Sequence, residues 1–196
     1  MNRIPVSRRN SRGFSLIELL AVITVMAVVS TLITPSFSSM LLSVKVRQAS
    51  GQIASLIERA RLEAGTHNRP IELRFYREAN GGHYTGMQLF ILRDAGMVAH
   101  TPFIRLPEGT AIANDTRSSL LQEPGLGAGT TGAWTYRSFE VASDGETNLP
   151  RRELSLCLAV GSVQEINASA NGAKDAPGLF AVLIDPVVAS TRVVGR

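Results

Sequence analysis

The sequence predicts an α+β chain in which a long amino-terminal helix, first membrane-spanning and then amphipathic, packs its second half on an antiparallel β-sheet. Three observations predict it. Residues 14–33 form a run of twenty whose only charge is Glu18, and a helix of that length rises about 30 Å, the thickness of bilayer hydrocarbon. Ala49, Ile53, Leu56, Ile57, Ala60 and Ala64 then recur at helical spacing, with Gln52, Ser55, Glu58 and Arg59 between them, which gives one apolar face. Beyond Pro70, Ile71, Leu73 and Phe75 alternate with Glu72, Arg74 and Tyr76, the period of two that a half-buried strand requires.

The chain accordingly divides into a basic leader over 1–13, a membrane helix over 14–34, an amphipathic continuation over 35–65 and an outer β-rich domain over 66–196. The formal charge of +4 comes from 20 Lys and Arg against 16 Asp and Glu. Arg3, Arg8, Arg9 and Arg12 stand in the leader with no acid beside them, so sixteen basic residues face sixteen acidic ones from Phe14 onward. The basic balance is therefore a property of the leader, and the nucleic-acid class loses most of its support. Only Lys45 and Arg47 follow the apolar run closely, so the excess of arginine before it keeps the amino terminus cytoplasmic and sends the carboxyl-terminal domain outward.

A cleaved secretory signal has an apolar stretch of about 7 to 15 residues. Ser36-Phe37-Ser38 imitates its small-residue cleavage site, but the run is too long. A plain anchor fits the length and gives no reason for a carboxylate inside an apolar stretch, where ionisable groups are costly and functional. Glu18 is the discriminating residue. Pro35 cannot donate a backbone hydrogen bond to the preceding turn, so a kink or loosening is expected there, with a helix end at the membrane surface as the alternative.

Gly65 and Pro70 predict that the helix stops near Ala64. Strands are predicted over 70–77, 84–93, 101–106, 134–142, 152–160, 178–184 and 191–194, joined by turns such as Asn80-Gly81-Gly82 and Ser143-Asp144-Gly145. Two polar stretches rich in Gly, Ser and Asn, 114–133 and 162–177, read as exposed loops.

No residue pattern calls for a catalytic group, a cofactor or a metal. Gly127-Ala128-Gly129-Thr130-Thr131-Gly132 has the letters of a dinucleotide fingerprint, yet Pro124-Gly125 precedes it where a strand is needed and Trp134-Thr135-Tyr136 follows where a helix is needed. It reads as a flexible loop. Asp144, Glu146 and Asn148 alternate like calcium ligands without the later bidentate Glu, and a hairpin turn is the better reading. His67, His83 and His100 lie far apart with no zinc-type spacing. The single cysteine, Cys157, sits in a strand-like run and reads as a packed side chain. Asn114-Asp115-Thr116 and Asn167-Ala168-Ser169 match the glycosylation triplet and mean little more than exposed loops.

Arg12-Gly13-Phe14-Ser15-Leu16-Ile17-Glu18-Leu19-Leu20 resembles the processing motif of type IV prepilins and type II secretion pseudopilins. Counting Phe14 as the first residue of a mature chain, Glu18 is the fifth and Pro35 the twenty-second, positions where that family has its glutamate and, commonly, a proline. The resemblance implies a pilin-like fold, cleavage after Gly13 by a prepilin peptidase, and N-methylation of Phe14. It also implies a subunit of the inner membrane that assembles with other pilin or pseudopilin subunits on an inner-membrane assembly platform.

Physical reasons accompany each residue. Gly13 has no Cβ, so an extended backbone approaches a protease closely. Phe14 would carry a new ammonium group, and Glu18 is the available carboxylate to neutralise it in a packed helical bundle, on a neighbouring subunit.

The junction Arg59-Ala60-Arg61-Leu62-Glu63-Ala64 followed by Asn68-Arg69-Pro70-Ile71-Glu72-Leu73-Arg74-Phe75 looks like that of H-type minor pseudopilins, the GspH/FimT-like group. With Met87-Gln88-Leu89-Phe90 and Leu183-Ile184-Asp185-Pro186, the whole chain is similar to a prepilin-like family called Verru_Chthon cassette protein D. The likeness to the H-type group implies a minor component, expected to be a noncatalytic structural subunit. The alternative is a minor pilin whose outer domain binds DNA, a surface or an exported substrate. Arg192 and Arg196 are a thin footprint for phosphate contacts.

Overall fold

The computed structural model describes residues 15–151, 155–170 and 178–195, and the chain divides into two compact units, 1–40 and 41–196. Helix α1, Leu16–His67, contributes residues to both.

In the larger unit α1 buries Val46, Ala49, Ile53, Leu56, Ile57, Ala60 and Ala64. Intervals of three and four place these on one stripe, as the periodicity requires. The helix does not stop at Ala64, as the sequence reading expected, but runs three residues further. Asn68 takes the left-handed conformation with φ 49°, its N–H donates to the Gly65 carbonyl at 3.3 Å, and the Arg69 N–H donates to the Ala64 carbonyl at 3.2 Å. That pair of bonds is a Schellman termination, with Asn in the role glycine usually fills. Asn tolerates left-handed backbone where a β-branched residue does not. Asn68→Val is therefore expected to cost about 1–2 kcal/mol, read as a lower urea midpoint at unchanged slope.

Two antiparallel sheets follow, where a single sheet was expected. The first has six strands: β1 Ile71–Glu78, β2 Gly86–Arg93, β3 Gly96–Ala99, β4 Ile104–Arg105, and two later ones, β6 Gly127–Thr131 and β7 Trp134–Val141. Its order is β3-β2-β1-β7-β6, with β4 also on β2. The second has four strands in the order β10-β9-β8-β5, from β5 Thr110–Ile112, β8 Leu156–Ser162, β9 Phe180–Ile184 and β10 Thr191–Gly195. One core joins the α1 stripe to the inner faces of both sheets, through Leu73, Phe75, Leu89 and Phe139 of the first and Leu156, Leu158, Val182 and Ile184 of the second. Glu58 of α1 also accepts hydrogen bonds from the Thr191 N–H at 3.0 Å and its hydroxyl at 3.3 Å.

Asn80-Gly81-Gly82 lies between the paired strands β1 and β2 as expected. Ser143-Asp144-Gly145 does not make a β7–β8 hairpin. It closes a local turn in which the Gly145 N–H donates to Ala142 at 2.9 Å and Thr147 bridges back to Val141, after which the chain crosses to the other sheet. Of the strand expected over 101–106, only Ile104–Arg105 is extended and paired.

Both stretches read as loops contain regular structure. The first holds a short helix, α2 Ser119–Gln122, which buries Leu120 and Leu121, and then β6. The glycines of β6 serve close approach across the strand pair: Gly129 faces Tyr136, and a Cβ on Gly129 would lie 2.5 Å from the Tyr136 hydroxyl oxygen. The second holds α3, Val163–Ala170, opened by a capping box in which the Glu165 N–H donates to Ser162 Oγ at 3.1 Å and the Ser162 N–H to Glu165 Oε2 at 3.3 Å. Ile166 of α3 is buried in a small second cluster with Ala111, Ala113 and Ala159, so α3 covers the face of the second sheet turned away from the main core.

Candidate functional site

In the smaller unit, Gly13 and Phe14 lie outside the described residues. Ser15 opens α1 by accepting hydrogen bonds from the Glu18 and Leu19 N–H groups at 3.0 and 3.2 Å. Glu18 stands exposed in the first turn. It shares a depression with Ala21, Val22, Val25 and Met26, residues at the three- and four-residue spacing of one helix face. Leu16, Ile17, Leu20, Ile23 and Val28, with further large apolar side chains between them, are exposed on all other faces. A helix that is apolar all round is one that something else covers.

Two hydroxyls of the described part of this helix, on Thr24 and Ser30, are satisfied internally. Thr24 Oγ1 donates to the Leu20 and Ala21 carbonyls at 2.9 Å, and Ser30 Oγ to Met26 at 2.8 Å, the arrangement that lets such residues sit away from water. No ion pair among the described residues involves Glu18. Pro35 falls inside α1, so the helix does not end there; its side chain, like the others of 31–39, lies outside the described ones. Among the described residues no helix is long and apolar enough to cross a membrane. The described side chains of the apolar run stop at Ser30.

The outer domain has three further constellations. On the first sheet, the face turned away from the core carries Arg74 and Tyr76 of β1, Phe90 of β2, and Trp134 and Tyr136 of β7. The Arg74 guanidinium sits 3.9 Å from the Phe90 ring centroid and 4.4 Å from that of Tyr136. It also donates to Glu72 Oε2 at 2.6 Å, so its charge is already neutralised. Phe103 packs 5.3 Å from Tyr76 and 5.5 Å from Trp134, and Arg105 lies 5.6 Å from the Trp134 ring. Arg74, Tyr76, Phe90, Phe103, Arg105 and Trp134 line a depression of about 340 Å³.

The second constellation ties the 114–117 segment to α3. Asp115 accepts from the Arg117 guanidinium and N–H, and Arg117 Nη2 donates onward to the Ile166 carbonyl at 2.9 Å. The Arg117 hydrogen bonds hold the Asp115 carboxyl below its usual range despite burial. His83 joins the same region, within 2.9 Å of Asn167 Oδ1 and accepting from the Asn114 N–H at 3.2 Å.

The third was missed by sequence spacing. Glu63 and His67, one turn apart on α1, meet His100 at the far end of β3: Glu63 Oε2 is 3.3 Å from Nε2 of both histidines. The two rings meet edge to face, with centroids 5.4 Å apart. Burial raises the Glu63 pKa, but the hydrogen bonds from His100 and Arg59 outweigh it and hold the carboxyl below its ordinary value. The fold thus brings two of the three histidines together and leaves His83 elsewhere.

The other residues weighed in sequence fall into structural roles. Asp144 Oδ1 accepts from the Glu146 N–H and Asn148 Oδ1 from the Glu140 N–H, each at 2.9 Å, while Glu146 pairs with Arg151. Their polar groups close the turn. Burial pushes the Cys157 thiol up, which keeps it protonated and a poor nucleophile. Arg192 is exposed on β10, and Arg196 lies outside the described residues.

A family model of the prokaryotic N-terminal methylation motif matches residues 8–34. Those residues form a type IV prepilin-like signal, which implies processing by a prepilin peptidase and assembly with other pilin subunits. The α+β architecture, an amino-terminal helix followed by antiparallel sheets, is compatible with a pilin-like fold. No curated protein and no solved structure matched the chain.

Proposed function

We propose that the chain is a minor pilin or pseudopilin, a noncatalytic structural subunit of a type IV pilus-like or type II secretion-like assembly. The observation that carries this reading is the methylation motif over 8–34, in which the described apolar side chains of α1 up to Val29 are exposed on every face. Cleavage after Gly13 leaves Phe14 as an N-methylated terminus. The helix over 14–34 holds the subunit in the inner membrane, with the leader cytoplasmic and the outer domain outside, until the assembly platform passes it into a fibre. Pro35 loosens the helix just beyond the membrane. The "minor" role rests only on the likeness of the junction over 59–64 and 68–75 to the GspH/FimT-like group.

Glu18 supplies the assembly contact. Moving an unpaired charge into a low-dielectric bundle costs several kcal/mol, whereas a carboxylate paired with a neighbour's terminal ammonium offsets most of that cost and fixes the axial register. Glu18→Ala is expected to leave cleavage intact and to reduce incorporation into pili or pseudopili to background, measured by quantifying the subunit in sheared fibres. Normal incorporation contradicts the pairing.

One observation favours a second reading, in which the outer domain is a binding module. The aromatic depression of the first sheet offers rings on which a planar or apolar group can stack. Its one arginine outside an ion pair, Arg105, makes it a weak phosphate reader. Exported polypeptide therefore fits this face better than DNA, and quenching of Trp134 fluorescence by cargo but not by oligonucleotide separates the two.

A further inference from the structure

The geometry points to a divalent-metal site formed by Glu63, His67 and His100, with zinc as the ion it suits and one coordination position left for a fourth ligand. The distances carry the argument. Zinc binds imidazole nitrogen and carboxylate oxygen at about 2.0–2.2 Å in a near-tetrahedral arrangement, which places ligand atoms of one ion about 3.3–3.5 Å from each other. Glu63 Oε2 lies 3.3 Å from His67 Nε2 and 3.3 Å from His100 Nε2. All three ligand atoms fall within 4.8 Å of one another. Two of the three edges already have the required length, and the third closes by a small rotation of an imidazole.

The scaffold holds the three residues from different directions. Glu63 and His67 are four apart on α1, so they project from the same face one turn apart. The Schellman termination at Asn68 keeps His67 helical. His100 is fixed by its own N–H, which donates to the Leu89 carbonyl at 2.8 Å, and by the next residue, whose hydroxyl accepts from the Leu89 N–H at 3.0 Å. Arg59 donates to the other carboxylate oxygen of Glu63 at 3.3 Å, leaving Oε2 turned to the histidines. An outer partner of this kind orients a metal-binding carboxylate.

Two histidines and one carboxylate on three protein positions form the donor set of open zinc sites, and imidazole with carboxylate selects zinc over magnesium and calcium. His67 borders a depression of about 250 Å³ that it shares with Arg69, Ile91, Arg93 and Asp94, which has room for a water or a carboxylate from a partner subunit. Arg69 is paired with Asp94 at 2.9 Å, so this neighbouring cation is already compensated.

The test is calorimetric titration of the full chain in detergent with zinc chloride. The expected result is one zinc per chain at micromolar or tighter affinity, and four-coordinate d–d absorption when cobalt(II) replaces zinc. His67→Ala, on an exposed side chain that the fold does not depend on, and His100→Ala are each expected to weaken zinc binding about tenfold or more. His83→Gln, distant from the site, is expected to bind as the unsubstituted chain does. Absence of zinc binding to the unsubstituted chain overturns the proposal, because Glu63 is then only a hydrogen-bond acceptor for two imidazoles. Binding that survives both His67→Ala and His100→Ala overturns it equally.

Discussion

Gly13→Leu is expected to leave the chain at precursor length, longer than the processed form by the thirteen residues of the leader, when it is co-expressed with a prepilin peptidase. Glycine admits the closest backbone approach of any residue, and a peptidase that cuts at an extended strand needs that approach at the residue before the cut. A leucine side chain places four carbons in that space. Two effects follow from the one substitution. The four arginines stay attached, and Phe14 never presents an ammonium group to Glu18. Incorporation into fibres is therefore expected to fail together with processing, whereas Glu18→Ala separates the two. Gel mobility and fibre content from the same cells distinguish the outcomes, and a Gly13→Leu chain processed at the normal rate contradicts the peptidase assignment.

Phe139→Ala is expected to destabilise the outer domain by about 3–5 kcal/mol. Phe139 is 1% exposed and stacks on Phe75 with ring centroids 6.4 Å apart. It joins the α1 stripe and both sheets in one core, so its removal leaves a cavity that no single element can collapse to fill. A domain of this size is stable by about 5–15 kcal/mol, so this loss is a large part of the whole. The chain has one tryptophan, Trp134, and its fluorescence during urea unfolding reports this domain alone. A midpoint lowered by less than about 1 kcal/mol equivalent contradicts the core assignment.

The parts of the fold legible in sequence were those written in short periods. The stripe from Ala49 to Ala64 and the alternation at Ile71, Leu73 and Phe75 are local, and they correspond to α1 and β1. The helix ends three residues beyond the position Gly65 marks in sequence, because Asn68 makes the left-handed turn. That difference hid the pairing of Glu63 with His67. The approach of His100 depends on the register of β2 with β3, with Phe90 opposite Ala99, and no local pattern announces a register across strands.

The loops misread over 114–133 and 162–177 have different causes. Ser162 and Glu165 form a capping box readable from their spacing, but the helix it opens, Val163–Ala170, has only eight residues, half of them Asn, Ser or Ala. Gly127 and Gly129 look like flexibility in sequence and serve packing under Ser138 and Tyr136. The division into two sheets was not legible, because the segment after β7 gives no local sign of which sheet receives β8. In the amino-terminal segment the signal was local in full. Its residue types at their spacing carried the reading, and the methylation-motif match over 8–34 agrees with it.

In the proposed processing, residues 1–13 are removed and Phe14 becomes a methylated terminus. Mass spectrometry of the amino-terminal peptide, on the protein recovered from membranes of cells that contain a prepilin peptidase, decides whether this happens. The expected peptide begins at Phe14 and carries one N-methyl group. A peptide that begins at Met1, or at a residue beyond Ser38, contradicts it.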